Sequence, residues 1–341
     1  MSTTAAAVNN KKDIVSIQAL RGIAAFLVVL SHCFPYDHYP ETNILRIISI
    51  RGGVGVQIFF IISGYIVPFS MYKKNYELKD LKVFFTKRMI RIEPPYFASI
   101  LLALILGWST TWSPWYSGPP YNPDWWNVLG HLGYLNAFTK QPWLNDAYWT
   151  LSLEFMYYII IALFYPLFIN DKKWILMLSF FTFLSLTLAH VHIPYYLLGS
   201  NTVFFTLGIA LFLFHTEKIN HSLYLVLTLA CLLVCFVIHT PLFMFVAIST
   251  LFLIHFVKNV PKILIGLGAI SYSLYLTHAL IITRFIGIIT RYLPNVPVSI
   301  KYTLGVVFCI AFSVFFFWVV ERPFQKISKN IGYKKAPKPT Q

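Results

Sequence analysis

Charge is what this chain of 341 residues has least of. Only 11% of its residues are charged, against roughly 25% in soluble domains. The shortfall is steepest for acids, with 12 Asp and Glu against 27 Lys and Arg. A water-soluble domain of ordinary composition is thereby excluded. Cysteine is also sparse. Cys33, Cys231, Cys235 and Cys309 all fall in apolar segments, so the sequence holds neither a disulfide framework nor a CxxC pair in a loop. No internal repeat relates residues 1–170 to residues 171–341, which counts against an inverted-repeat transporter.

What the chain has is apolar length. Hydrophobic residues make up 57% and aromatics 18%, and the mean hydropathy is +0.67. Apolar runs recur along the chain, each about the 20 residues needed to cross a bilayer. They predict an all-α, polytopic integral membrane protein of about ten transmembrane helices in the cell membrane. The spans fall at roughly 14–34, 53–72, 95–113, 148–169, 174–192, 200–215, 222–239, 241–257, 263–288 and 298–320. The N-terminus reads as an uncleaved first helix and not a signal peptide, because FPYDHYP after Cys33 offers no small-residue cleavage pattern.

The net charge of +15 could point to nucleic acid, but its distribution points elsewhere. With both termini inside, 20 of the 27 basic residues fall in inner segments. The positive-inside rule accounts for this with no polyanionic partner; the bilayer is the partner, and inner charge can also hold anionic lipid. Residues 1–13 then form an inner N-terminal segment, 14–324 one transmembrane domain, and 325–341 an inner tail ending in polar, Pro-containing KKAPKPTQ.

Two loops stand out. KKNYELKDLKVFFTKRMIRIEPP is long and basic, and its periodic Leu81, Phe84 and Phe85 suggest a short helix on the inner membrane surface. The outer segment near 114–147 carries WSPWYSGPPYNPDWWN. Its tryptophans suit an interfacial aromatic belt, or a surface on which sugar rings stack.

Titratable groups inside a span are costly and hence usually functional. Arg21 and His32 share the first apolar segment. Eleven positions of helix are about 16 Å of rise and about three turns, so the two side chains share one face. Glu154, in YWTLSLEFMYY, is the one acid expected well inside a span. By depth, His32, Glu154 and His278 fall in one outer layer, with Tyr275 a turn below His278. Arg88 and Arg91, three apart just before the third span, suit bidentate phosphate recognition, and equally a lipid headgroup. Glu321 is expected to pair with one of these arginines. Gly52, Gly53, Gly55 and Gly64 suit close helix packing. His190 and His192 show no ligand set, and no metal site is expected.

Read in order, ALRGIAAFLVVLSH, GGVGVQIFFIISGY, the RxxR of Arg88 and Arg91, WTLSLEFMYY, SYSLYLTH and ERPF make a specific set. Together they resemble the membrane acyltransferase-3 family from about Ser16 to Phe324. Its members O-acylate polysaccharides, lipopolysaccharide, peptidoglycan, Nod factors and some antibiotics. The resemblance implies a catalytic His32 in an arginine-x10-histidine motif, acyl-CoA use through Arg88 and Arg91, and a functional Glu154. The departure of Tyr157 from the usual Phe is minor. It also implies the stand-alone type, without a fused esterase-like domain.

On that resemblance, acyl-CoA, most simply acetyl-CoA, docks on Arg88 and Arg91 at the inner face and passes Arg21. His32 acts as general base on a glycan hydroxyl from outside. Glu154 orients the imidazole, and His278 or Tyr275 contacts the oxyanion or the acceptor. No bound cofactor is expected. The rival class is a proton-coupled transporter or flippase of a lipid-linked sugar or an anionic solute, which intramembrane Arg, His and Glu would also suit. A non-catalytic scaffold would leave His32 and Glu154 without a purpose.

Overall fold

In hydrocarbon a backbone N–H or C=O has no water to bond, so long apolar runs must satisfy these groups within a helix. Every regular element among the described residues is accordingly helical. The computed structural model describes residues 10–33, 40–114, 116–139, 141–188, 198–257 and 259–332.

In chain order the helices are α1 (Asn10–Cys33), α2 (Ile44–Arg51), α3 (Gly55–Tyr72), α4 (Leu81–Thr111), α5 (Trp125–Leu132) and α6 (Asn136–Thr139). Then come α7 (Tyr148–Phe168), α8 (Lys173–Ser185), α9 (Thr202–His215), α10 (His221–Ile238) and α11 (Pro241–Phe256). The last four are α12 (Lys262–Ala269), α13 (Ser271–Tyr292), α14 (Val298–Phe316) and α15 (Arg322–Asn330). Seven stretches are long and apolar enough to cross a membrane: Val15–His32, Arg46–Tyr72, Leu78–Thr111, Tyr148–Phe168, His221–Ile238, Ser271–Tyr292 and Val298–Asn330. Shorter apolar helices occupy Lys173–Ser185, Gly199–His215 and Pro241–Phe256. The protein is a multi-pass membrane protein.

Several expectations need correction. The basic segment expected at the inner surface forms no separate helix. A short 3-10 turn over Leu78–Asp80, boxed by Glu77 and Asp80, leads directly into the 31 residues of α4, about 46 Å of helix. Pro94 and Pro95 lie inside α4 without ending it, and Glu93 therefore sits in a helix and not in a loop. The ninth expected span breaks at Ile270 into α12 and α13. Past α14, Phe317–Glu321 forms a π-helical turn that carries the chain into α15. The end of the fifth expected span, with His190 and His192, lies outside the described residues, as do the first nine residues and the tail from Tyr333.

Helix packing here depends on small residues. A Cβ on Gly64 would strike the backbone of Phe205, and one on Gly208 would strike the carbonyl of Ile61 and the backbone of Tyr65. α3 and α9 thus touch backbone to backbone, and theirs is the most extensive helix contact in the fold. Gly53, expected to serve the same purpose, meets nothing within 4 Å.

The buried apolar residues form three clusters. The largest joins α3, α7, α8, α9, α10 and α11; another joins α4, α7 and α13; the third joins α1, α13 and α14. α1, α3, α4, α7 and α13 border a cavity where these clusters meet.

Candidate active site: a cationic cavity beside a histidine pair

The cavity holds about 370 Å³. Its cations come from different helices: Arg21 from α1, Lys87, Arg88 and Arg91 from α4, and Lys74 from the turn after α3. Successive turns of α4 set Lys87, Arg88 and Arg91 on its cavity side, as the three-residue spacing requires. Glu154 of α7 and Glu321 are the carboxylates in the wall. Five cationic side chains facing two carboxylates make the cavity attractive to an anion.

Each carboxylate is held by named donors. Ser63 Oγ donates to Glu154 Oε1 at 2.8 Å, and Tyr158, one turn along α7, donates to the same oxygen. The ring of Tyr158 in turn lies under the Arg88 guanidinium, 4.7 Å from its centroid, with Phe84 also in contact at 5.5 Å. Arg88 Nη1 also donates to the Tyr158 hydroxyl at 3.5 Å, and the ring contacts fix the planar guanidinium. Glu321, 2% exposed, accepts the backbone N–H of Ser273 at 3.0 Å, its hydroxyl at 2.5 Å, and the Gln325 amide at 2.6 Å. The break at Ile270 leaves the first N–H groups of α13 without helical partners, and Glu321 caps one of them, that of Ser273. The expected ion pair between Glu321 and an arginine is absent among the described residues, although the charges of Arg21 and Arg91 act on it.

At the other end the wall is Phe59, Thr150 and Tyr275. Thr150 Oγ1 donates to Ala147 O at 2.9 Å, so the Tyr275 hydroxyl is the donor in the 2.6 Å bond between Tyr275 and Thr150. Behind Tyr275 lies His278, ring centroids 5.9 Å apart, and behind that His32 at 5.0 Å in edge-to-face contact. His32 is exposed and is not among the residues lining the cavity.

Hydrogen bonds assign both imidazoles. His32 Nδ1 lies 3.0 Å from the Val28 carbonyl, which can only accept, so Nδ1 carries the hydrogen and Nε2 carries the lone pair. His278 Nδ1 lies 2.8 Å from Tyr275 O and 3.2 Å from Leu274 O, which fixes the same tautomer. A neutral His278 so held has no hydrogen to give an oxyanion, and of the two residues expected there only Tyr275 has one. The orienting acceptor of His32 is the Val28 carbonyl. Glu154 makes no hydrogen bond to His32 among the described residues.

The structure therefore brings Arg21, Arg88, Arg91, Glu154 and Tyr275 together around the cavity and sets His32 with His278 beside it. Sequence reasoning missed Lys74, Lys87, Ser63, Thr150 and Tyr158. It also missed Glu93, whose Oε1 accepts Tyr134 OH at 2.9 Å while Oε2 is buried without a partner among the described residues. The acid two residues after the RxxR, directly before Pro94 and Pro95, was its available signal. In the Trp-rich segment, Asp124 caps α5, and Trp125 and Trp126 remain exposed. No three His, Cys, Asp or Glu side chains gather as a metal set among the described residues.

Comparison with known proteins agrees with the motif order. Over 183 residues the chain is 31% identical to an O-acetyl transferase of Shigella phage Sf6, covering 49% of this chain and 50% of that one. It is 26% identical over 174 residues to the peptidoglycan O-acetyltransferase OatA of Listeria monocytogenes, covering 47% of this chain and 25% of that one. It is 26% identical over 160 residues to the acyltransferase MdmB of Streptomyces mycarofaciens, covering 45% and 39%. The chain thus spans half or less of the length of these curated relatives. No solved structure matches it. The family described as an acyltransferase domain matches residues 14–322, nearly the whole chain, and to this acyltransferase-3 family the protein belongs.

Proposed function

We propose that the protein transfers an acyl group, most simply acetyl, from acyl-CoA on the cytoplasmic side of the cell membrane to a hydroxyl of a cell-surface or lipid-linked glycan. The observation that carries this reading is a cation-lined cavity that reaches Tyr275, itself in ring contact with a histidine pair whose other member, His32, is exposed. The phosphates of the donor lie on Arg88 and Arg91 through charge-assisted, bidentate hydrogen bonds, with Lys74 and Lys87 nearby. The pantetheine arm passes Arg21 toward Tyr275 and Thr150.

His32, with its Nδ1 hydrogen committed to Val28 and its Nε2 lone pair without a partner among the described residues, takes the proton of the acceptor hydroxyl. The hydroxyl oxygen forms the ester C–O bond, the thioester C–S bond breaks, and the departing sulfur receives the proton from His32. Tyr275 turns its hydroxyl from Thr150 to the developing oxyanion. Glu154 serves the donor: through Tyr158 it fixes Arg88. The relatives named as O-acetyltransferases support the choice of acetyl and of a glycan.

The test uses full-length protein in liposomes with acetyl-CoA and surface glycan from the producing cells. Acetyl ester is measured by mass spectrometry and free CoA with a thiol reagent. Ester formation with equimolar CoA release is expected, with loss of both in His32→Ala. Unaltered acylation by His32→Ala would overturn the role of His32. Solute counterflow with no CoA release would mark a transporter instead.

A further inference from the structure

The nitrogen left over at the site is His278 Nε2. The residue is 0% exposed, and Nε2 has no hydrogen-bond partner among the described residues. Leu274, Ile281 and Ile282 around it on α13 are buried apolar residues. A buried polar atom without a partner is expensive to keep and rare in folded proteins. Its tautomer is not free to relieve the cost, because Nδ1–H is held by two carbonyls of its own helix. What remains is a lone pair at the tip of a ring whose neighbour, at 5.0 Å, is His32.

We propose that His278 is a positioning residue for His32: its Nε2 accepts the N–H that His32 gains on taking the acceptor's proton. This inference rests on the acyl-transfer reading. In the resting state His32 Nε2 is itself a lone pair, so neither ring can donate to the other and the Nε2 of His278 stays unpaired. Once the acceptor O–H breaks and its proton moves to His32, the cation has a new N–H that needs an acceptor. No carboxylate bonds His32 among the described residues, and Glu154 Oε1 and both Glu321 oxygens are engaged elsewhere. His278 supplies the acceptor. It keeps its own proton on Nδ1 throughout, and the proton on His32 passes to the thiolate when the C–S bond breaks. An uncharged partner of this kind exerts no pull on the anionic donor, so its effect falls on turnover and not on donor binding.

The variants that test this differ by one atom position. Asn at 278 retains a donor for the helix carbonyls and deletes the acceptor; Gln places an amide oxygen near the place of Nε2. In the liposome assay, His278→Asn is expected to lower kcat about 100-fold, within the range for a proton-handling group, with KM for acetyl-CoA within about twofold. His278→Gln is expected to regain about tenfold of that loss. Thermal midpoints of the reconstituted variants separate loss of fold from loss of function.

Equal loss in the folded Asn and Gln variants would show a packing role and overturn the inference, as would His278→Asn at more than half of wild-type activity. If His278→Asn does not fold, a folded His278→Gln no more active than His32→Ala overturns it. The His32→Ala control keeps the failures apart. Activity retained there sinks the acyl-transfer role of His32 itself, whereas activity lost there and retained in His278→Asn sinks only this inference.

Discussion

Lys87 and Ser328 are hydrogen-bonded in both directions across 241 residues of chain. Lys87 Nζ donates to Ser328 O at 2.7 Å, and Ser328 Oγ donates to Lys87 O at 2.8 Å. Lys87 also donates to the carbonyl of Ile331. The ammonium thus sits at the C-terminal end of α15, where unpaired carbonyls favour a cation. Both residues line the cavity, so the last helix forms part of its wall.

Cutting this tie should change donor binding more than chemistry. Lys87→Met is expected to raise KM for acetyl-CoA about fivefold, since a net hydrogen bond contributes on the order of 1 kcal/mol, with kcat little altered. Steady-state kinetics in liposomes measures both. An unchanged KM would show that α15 stays docked without the tie.

Glu154 offers a sharper division. Held by Ser63 and Tyr158 and not by His32, it should act on the donor side. Glu154→Ala is expected to raise KM for acetyl-CoA roughly tenfold, about 1.4 kcal/mol of binding, and to change kcat less. A loss of 100-fold or more in kcat at constant KM would return it to the role of a triad carboxylate.

The contact between α3 and α9 makes a prediction about stability alone. Gly208→Ala forces a methyl against the α3 backbone and should cost about 1–3 kcal/mol, the usual range for overpacking. Gly53→Ala, with open space around it, should be neutral. Thermal unfolding in detergent compares the two, and equal midpoints would contradict the packing described.

His131 makes the Trp-rich segment sensitive to acid. Its Nδ1 donates to Asn127 O at 2.8 Å, and its Nε2 accepts the Leu144 N–H at 3.1 Å. Burial lowers its pKa from the usual 6.5. Protons therefore bind the loosened state more readily than the packed one, and packing is favoured above pH 6.5 and weakens as pH falls below it. Hydrogen exchange at Leu144, corrected for intrinsic rate, should be faster at pH 5 than at pH 7.5. Equal protection would count against the assignment.

Helix content and the candidate residues were legible because apolar length and isolated charge are properties of one segment at a time. Arg21, Arg88, Arg91, Glu154 and Tyr275 do share a cavity. Which of them meet was not legible, since that depends on helix rotation and pairing. Ser63 lies 91 positions from Glu154, and no local spacing joins them. Depth placed Glu154 level with His32, but depth is silent on which way a side chain turns, and Glu154 turns toward Tyr158. Glu93 and the start of α4 were misread for a different reason. A basic run ending in two prolines has the composition of a loop, yet α4 continues through both. The break at Ile270 lies in a run expected as one span, and the capping of Ser273 by Glu321 joins positions 48 apart that no local spacing relates.

Tyr275 and His278, in successive ring contact between the cavity and His32, have a consequence for the cell's energy supply. On the proposed reading, an enzyme that joins a donor on one side of a membrane to an acceptor on the other risks becoming a conduit for ions. The described cavity reaches Tyr275 but not His278 or His32, so on that reading the two rings close its end and an acyl group crosses only as part of a reaction. On the same reading, the layer that positions the chemistry would also keep the membrane electrically tight.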